Sequence, residues 1–210
     1  MATLKLNSET VVSESSGTLT APALDITTGT LGSGITFPAG HIIQTVQQTD
    51  TDNTTFDVGP SSKTNTPFDN LNCSITPIKT NSKILVILDI SLSHQDSDTL
   101  HLDLVRDPTG SYTRLANGPA DGSTTSATFS IRGSSVHAIF KQSITFLDSP
   151  TISSGTSITY GVLGWSSGSQ SGVCGYNMSE NTNTSDSNMG RHMSIITLME
   201  IAQWNNIVIE

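Results

Sequence analysis

Lys83-Ile84-Leu85-Val86-Ile87-Leu88-Asp89-Ile90-Ser91-Leu92-Ser93-His94 decides the fold class. The stretch opens with an unbroken apolar run from Ile84 to Leu88 and then alternates strictly through Leu88, Ile90 and Leu92. Such a pattern reads as a strand buried on both faces at its start and on one face at its end. The same two-residue period recurs on either side. Ile43, Thr45 and Gln47 alternate with Ile42, Gln44 and Val46, and Leu100, Leu102 and Leu104 alternate with His101, Asp103 and Val105. Val136 to Leu147, Ile158-Tyr160-Val162 and Met193 to Ile201 repeat it, and Ile207-Val208-Ile209 reads as a short last strand. Between them lie turn signals: Asp107-Pro108-Thr109-Gly110, Asn117-Gly118-Pro119, Asp121-Gly122, Ser149-Pro150 and Gly168 to Gly172. No stretch carries a helical apolar period over three turns. The expectation is an all-β chain, with residues 41–210 forming an antiparallel, jelly-roll-like β-sandwich of eight to ten short strands.

Composition removes several function classes. Of 210 residues, 31 are Ser and 30 are Thr, and 9 Lys+Arg against 18 Asp+Glu leave a net charge of −9. Without a basic face to neutralise phosphates, nucleic-acid binding is not expected. The longest apolar run is far too short to span a bilayer as a helix, so membrane insertion is not expected, and Met1 to Glu9 carry no apolar leader. Cys73 and Cys174 are too few for a disulfide framework and read as small core or loop residues, with one bridge between them left open.

Residues 1–40 differ from the rest. Gly17-Thr18-Leu19 and Gly29-Thr30-Leu31 share a tripeptide, and short apolar pairs are punctuated by Gly and Pro up to Phe37-Pro38-Ala39-Gly40. Such a segment has too little apolar surface for its own core and becomes ordered by packing on copies of itself or on a partner. It is read as an extended anchor or short shaft.

Several segments together carry a family resemblance: Phe37-Pro38-Ala39-Gly40-His41-Ile42-Ile43-Gln44, Asn81-Ser82-Lys83-Ile84-Leu85-Val86, Leu102-Asp103-Leu104-Val105-Arg106, Ile144-Thr145-Phe146-Leu147-Asp148-Ser149-Pro150 and Ser194-Ile195-Ile196-Thr197-Leu198-Met199-Glu200-Ile201. Over roughly residues 37 to 202 the chain resembles tail-fibre-like virion proteins of marine bacteriophages, cyanophages among them. The closing Ser-x-Ile-Thr-Leu-Met-Glu-Ile is the most specific piece. The resemblance implies a non-enzymatic structural part of the virion, homotrimeric; residues 1–40, lying mostly outside it, are read as the contact to other virion proteins. It leaves the station on the particle open between tail fibre or spike and a capsid decoration or head-fibre protein. The stretch Gln203 to Glu210 departs from the family pattern by adding a further apolar strand.

Residues with chemical potential are few. Gly164-Trp165-Ser166-Ser167-Gly168 matches a nucleophile elbow, with Asp186 and His192 following in hydrolase order, but no helix follows the motif and the match is expected by chance in so Ser- and Gly-rich a chain. No catalytic residue and no cofactor are assigned. Asp96, Asp98, His101 and Asp103 are the densest set of candidate metal ligands, alongside the plainer reading of a polar hairpin tip. Trp165, Tyr176, Asn177, Asn181 and Asn183 are the candidate outer-loop residues for a host surface glycan, through aromatic stacking and amide hydrogen bonds, although core packing or subunit contacts are the commoner role of such aromatics.

Overall fold

The computed structural model describes residues 3–6, 9–15, 18–20, 39–58, 68–94, 99–123, 126–133, 138–166, 172–179, 185, 187 and 189–203. The chain divides into two compact units, Met1–Thr36 and Phe37–Glu210. In the first, β1 (Thr3–Leu6), β2 (Glu9–Ser15) and β3 (Thr18–Thr20) form an antiparallel sheet in the order β1-β2-β3. Where the sequence suggested an extended segment, the described strands pair as an antiparallel meander. The pairs Asn7-Ser8 and Ser16-Gly17, which separate the strands, are of the residue types that favour hairpin turns.

The second unit is a jelly-roll-like β-sandwich of antiparallel strands, as the alternation predicted. Its first sheet has the order β4-β14-β7-β13-β5, with β11 also on β7. These strands are β4 (Ile42–Asp50), β5 (Thr54–Val58), β7 (Lys83–His94), β11 (Phe140–Asp148), β13 (Gly172–Tyr176) and β14 (Ser194–Ile201). The second sheet runs β10-β8-β12-β6, with β9 also on β8. Its members are β6 (Cys73–Ile75), β8 (Leu100–Arg106), β9 (Thr113–Leu115), β10 (Phe129–Ile131) and β12 (Ile158–Ser166). A 3-10 turn, Phe68–Leu71, precedes β6.

The core lies between the sheets. Ile84, Val86, Leu88, Ile90 and Leu92 of β7 and Ile196 and Leu198 of β14 meet Leu100, Leu102, Leu104, Tyr160 and Val162 from the other sheet, all fully buried. Each such apolar side chain contributes about 1.5–3 kcal/mol relative to exposure. Phe68 plugs one end, edge-on to Phe56 and Tyr176 at centroid distances of 5.3 and 5.2 Å.

Both sheets contain a break of the same kind. The twelve-residue β7 pairs with β14 over residues 83–89 and with β13 over 92–94 along one edge, while β11 occupies the other edge from 84 to 92. Likewise β8 pairs with β12 along its whole length, while β10 and β9 share its opposite edge. At each junction a side chain stands in for the missing strand. Ser194 Oγ accepts the Ser91 N–H (3.0 Å) and Thr128 Oγ1 accepts the Leu104 N–H (2.9 Å).

Candidate functional site

The sequence placed recognition on an outer loop beginning near Tyr176, and the structure corrects the roles of its first residues. Tyr176 and Asn177 are fully buried, not exposed. Tyr176 ends β13, and its hydroxyl donates to Asp50 Oδ2 at 2.8 Å. Burial first, and then the Asp50 contact, push that phenol well above its usual range. Asn177 adopts φ 56 and knots the sheet junction. Its amide nitrogen donates to the carbonyls of Asp50 (3.1 Å) and Asp52 (3.0 Å), and its Oδ1 accepts from Ser194 Oγ (2.6 Å). Its backbone N–H reaches Ser91 O and its carbonyl accepts from His192 N. Beyond the knot, Met178 bridges to Arg191, and Ser179 and Gly190 exchange hydrogen bonds. Tyr176 and Asn177 thus anchor the stem of the 177–190 segment. Asn181 and Asn183 lie outside the described residues.

Trp165 sits inside β12, half-buried, with its ring 4.6 Å from that of His101. The metal candidates also have structural roles. His101 is buried, and its Nδ1 lies 2.7 Å from Ser130 Oγ. Asp103 is fully buried and receives Arg114 on both oxygens at 2.8 Å and the Asn117 amide at 2.7 Å. Among the described residues no group of three His, Cys, Asp or Glu side chains could hold a metal; Asp96 and Asp98 lie outside those residues. No disulfide joins the two cysteines, both of which are buried; Cys174 Sγ lies 3.4 Å from His94 Nδ1, and burial pushes the Cys73 thiol up to about 11. Ser166 of the elbow-like motif is a buried strand residue, and His192 is exposed.

The feature that sequence reasoning missed is a surface. On the second sheet the outward Asp103 is covered by Arg114 and Asn117, with Arg114 also donating to the Ser126 carbonyl, and the outward His101 lies against Ser130 and Trp165. The first sheet keeps its outward side chains accessible. Strand pairing aligns Met199, Leu85 and Leu147 in one row, with Thr197, Ile87 and Thr145 in the next. Ile201 and Ile195 flank these rows, opposite Lys83 and Asp89. Leu147 is 45% exposed and Ile42, paired with Ile201, is 49% exposed, while Leu85, Ile87 and Met199 are half-buried. The signal was present in β7, whose opening run is apolar on both faces although only one faces the core.

No protein-family model matches the chain, and no curated protein matches it in sequence. Among solved structures it is similar to that of the infectious bursal disease virus Gx strain, with 13% identity and a TM-score of 0.33 over 76% of this chain and 37% of that one. It is also similar to the infectious bursal disease virus VP2 subviral particle, with 11% identity and a TM-score of 0.33 over 88% of this chain and 44% of that one. The chain spans less than half the length of either.

Proposed function

We propose that the protein is a non-enzymatic structural component of a bacteriophage virion, of tail-fibre or spike type, which assembles as a homotrimer and contacts host surface glycans. The observation that carries this reading is an apolar strip on the outward face of β14-β7-β11, made by Leu147, Leu85, Met199, Ile87, Ile195 and Ile201 and bordered by Thr145, Thr197, Thr45 and Gln47. Contiguous exposed apolar surface on a sheet marks an interaction site. Its charge suits a copy of the same chain: the molecule carries −9, whereas this face presents Lys83 and Lys141 against Asp89, so copies meeting there do not bring acidic groups together in excess. Four strands about 4.8 Å apart and eight residues long give a flat footprint of roughly 500 Å², before side-chain relief, against the ~800 Å² per partner of a standard interface. The resemblance of residues 37 to 202 to tail-fibre-like proteins supplies the virion setting, and the burial of Ser166 within β12 favours a non-enzymatic role. Three copies of one modest glycan site gain avidity without new contacts.

A second reading, a capsid decoration or head-fibre protein anchored by its N-terminal segment, is favoured by the β1-β2-β3 meander. Folded strands of four, seven and three residues add about 23 Å to a shaft, where the same stretch extended would add about 60 Å. Light scattering on the purified chain is expected to give three chain masses; a monomer would overturn the trimer. Gold-labelled antibodies on particles distinguish tail from head.

A further inference from the structure

A cavity of about 460 Å³ opens where β8 ends, between the turn after Arg106 and the segment joining β11 to β12. This volume lies in the usual range of ligand sites, ~300–1,000 Å³. Arg106 and Asp107 form one wall, and the hydroxyls of Thr113, Ser149, Thr156 and Ser157 surround them. Pro150, Ile152 and Ile158 supply the apolar patches. The wall is rigid. Arg106 Nη1 donates to Asp148 Oδ2 at 2.6 Å, and the same oxygen accepts the hydroxyl of fully buried Tyr160 at 2.8 Å. One nitrogen of the planar fork is therefore spent on fixing the guanidinium, whose side chain remains 20% exposed. Next to it Asp107 takes φ 60, held by its N–H on Thr159 O (2.8 Å), and brings an acceptor to the same wall.

We propose that this cavity binds a neutral saccharide. The chemistry selects the class. An anion meets an arginine already neutralised by Asp148, with Asp107 adding negative charge beside it. An apolar ligand would strip water from the ion pair and the hydroxyls without replacing their hydrogen bonds. A sugar ring offers donors and acceptors on adjacent carbons to the Arg106–Asp107 pair and the surrounding hydroxyls, and lays its C–H face on the partly exposed Ile152. Preorganised donors lower the ordering cost of binding. The site gives the glycan contact of the proposed function a place in the fold and rests on that part of it. Its test needs only the isolated chain, so its failure leaves the assembly reading standing, and a monomeric chain that binds leaves the site standing.

The test is saturation-transfer NMR on the full chain with the methyl glycosides of glucose, galactose, mannose and N-acetylglucosamine at ~5 mM, enough to fill most of a site with a ~1 mM dissociation constant. Transfer to at least one glycoside is expected. Thr156→Trp, on the exposed rim and away from the Arg106–Asp148 pair, is expected to weaken it about tenfold or more with an unchanged Tm. Thr151→Trp, on another exposed part of the rim, repeats the test if the first variant lowers Tm. Sodium sulfate is expected not to compete. No transfer from any of the four glycosides, undiminished transfer in the filled variants, or displacement by sulfate would overturn the proposal.

Discussion

Glu200 is a carboxylate turned into the core from β14 with no exposed surface. Burial by itself would raise its pKa, but the Ser82 hydroxyl (2.6 Å), the N–H groups of Ile78 and Lys79 (3.0 Å each) and the Gln44 amide (2.7 Å) all donate to it and hold it below the usual 4.5. A carboxyl whose folded pKa is depressed contributes its full stability above the unfolded value, and loses it as the pH falls through the folded one. Glu200→Gln keeps the shape but turns a donor toward donors, and is expected to cost about 1–3 kcal/mol near neutrality. Calorimetry from about pH 7 down to about pH 3 checks both parts: the wild-type Tm should fall below pH ~4.5 more steeply than that of the variant. Parallel curves would show that Glu200 carries no such linkage. Asn177 allows a second test at this scale, because its side chain and its left-handed backbone contribute separately. Asn177→Ala loses both and should cost about 3 kcal/mol in urea unfolding, whereas Asn177→Gly keeps the backbone and should recover about 1 kcal/mol of that.

At the level of elements, the fold depends on two central strands, β7 and β8, each with an edge shared by two shorter ones. The junctions are mended by hydroxyls, so Thr128 has a role that its position outside any strand hides. Its Oγ1 accepts from Leu104 N and donates to Leu115 O, both at 2.9 Å, while its own N–H reaches Leu102 O. Thr128→Val preserves the volume but leaves two buried backbone groups without that partner. It is expected to cost about 1–3 kcal/mol, with faster hydrogen exchange confined to the Leu104 and Leu115 neighbourhood rather than spread through β7. The long strands were legible in the sequence because their alternation follows from burying one face: Lys83–His94 is recovered in full, and Leu100–Arg106 and Ser194–Ile201 to within a residue. The short strands β6, β9, β10 and β13 were not. Three to five residues such as Gly172-Val173-Cys174-Gly175-Tyr176 hold too few periods to register, and they pair only because a longer neighbour leaves an edge open. Gly175 also reads locally as a turn residue, yet it is required by packing, since a Cβ there would stand 2.5 Å from Met178 O. The candidate site was misread for the same reason. Tyr176 and Asn177 look like loop residues among Gly, Ser and Asn, and what buries them is Asp50, 126 residues away from Tyr176 in the chain.

Among the described residues of the second unit, Asp103 and His101 on the outer side of one sheet are covered, whereas the other sheet carries an apolar strip with exposed Leu147 and Ile42, in a chain of net charge −9. Such a charge keeps copies apart in general, so the proposed self-association is directed to a face where the charge is locally balanced and water is poorly held. That face lies on paired strands, and a carboxylate introduced in its middle is held there by the strand pairing on both sides. Leu85→Glu and Leu147→Glu place two carboxylates side by side in one cross-strand row of every copy, without entering the core between the sheets. Burying either against a neighbour costs several kcal/mol without a paired cation, which exceeds what a contact of this area spares. The double variant is therefore expected to elute as a folded monomer, with an unchanged near-ultraviolet spectrum and a light-scattering mass of one chain. Lys83→Glu, at the margin of the same face, should weaken association only at low salt, because its charge is screened within a Debye length of about 8 Å at physiological ionic strength. A double variant that retains the wild-type mass would move the assembly contact off this sheet. A Lys83→Glu effect as large as that of the double variant, and equal at high salt, would show that charge rather than apolar burial holds the copies together.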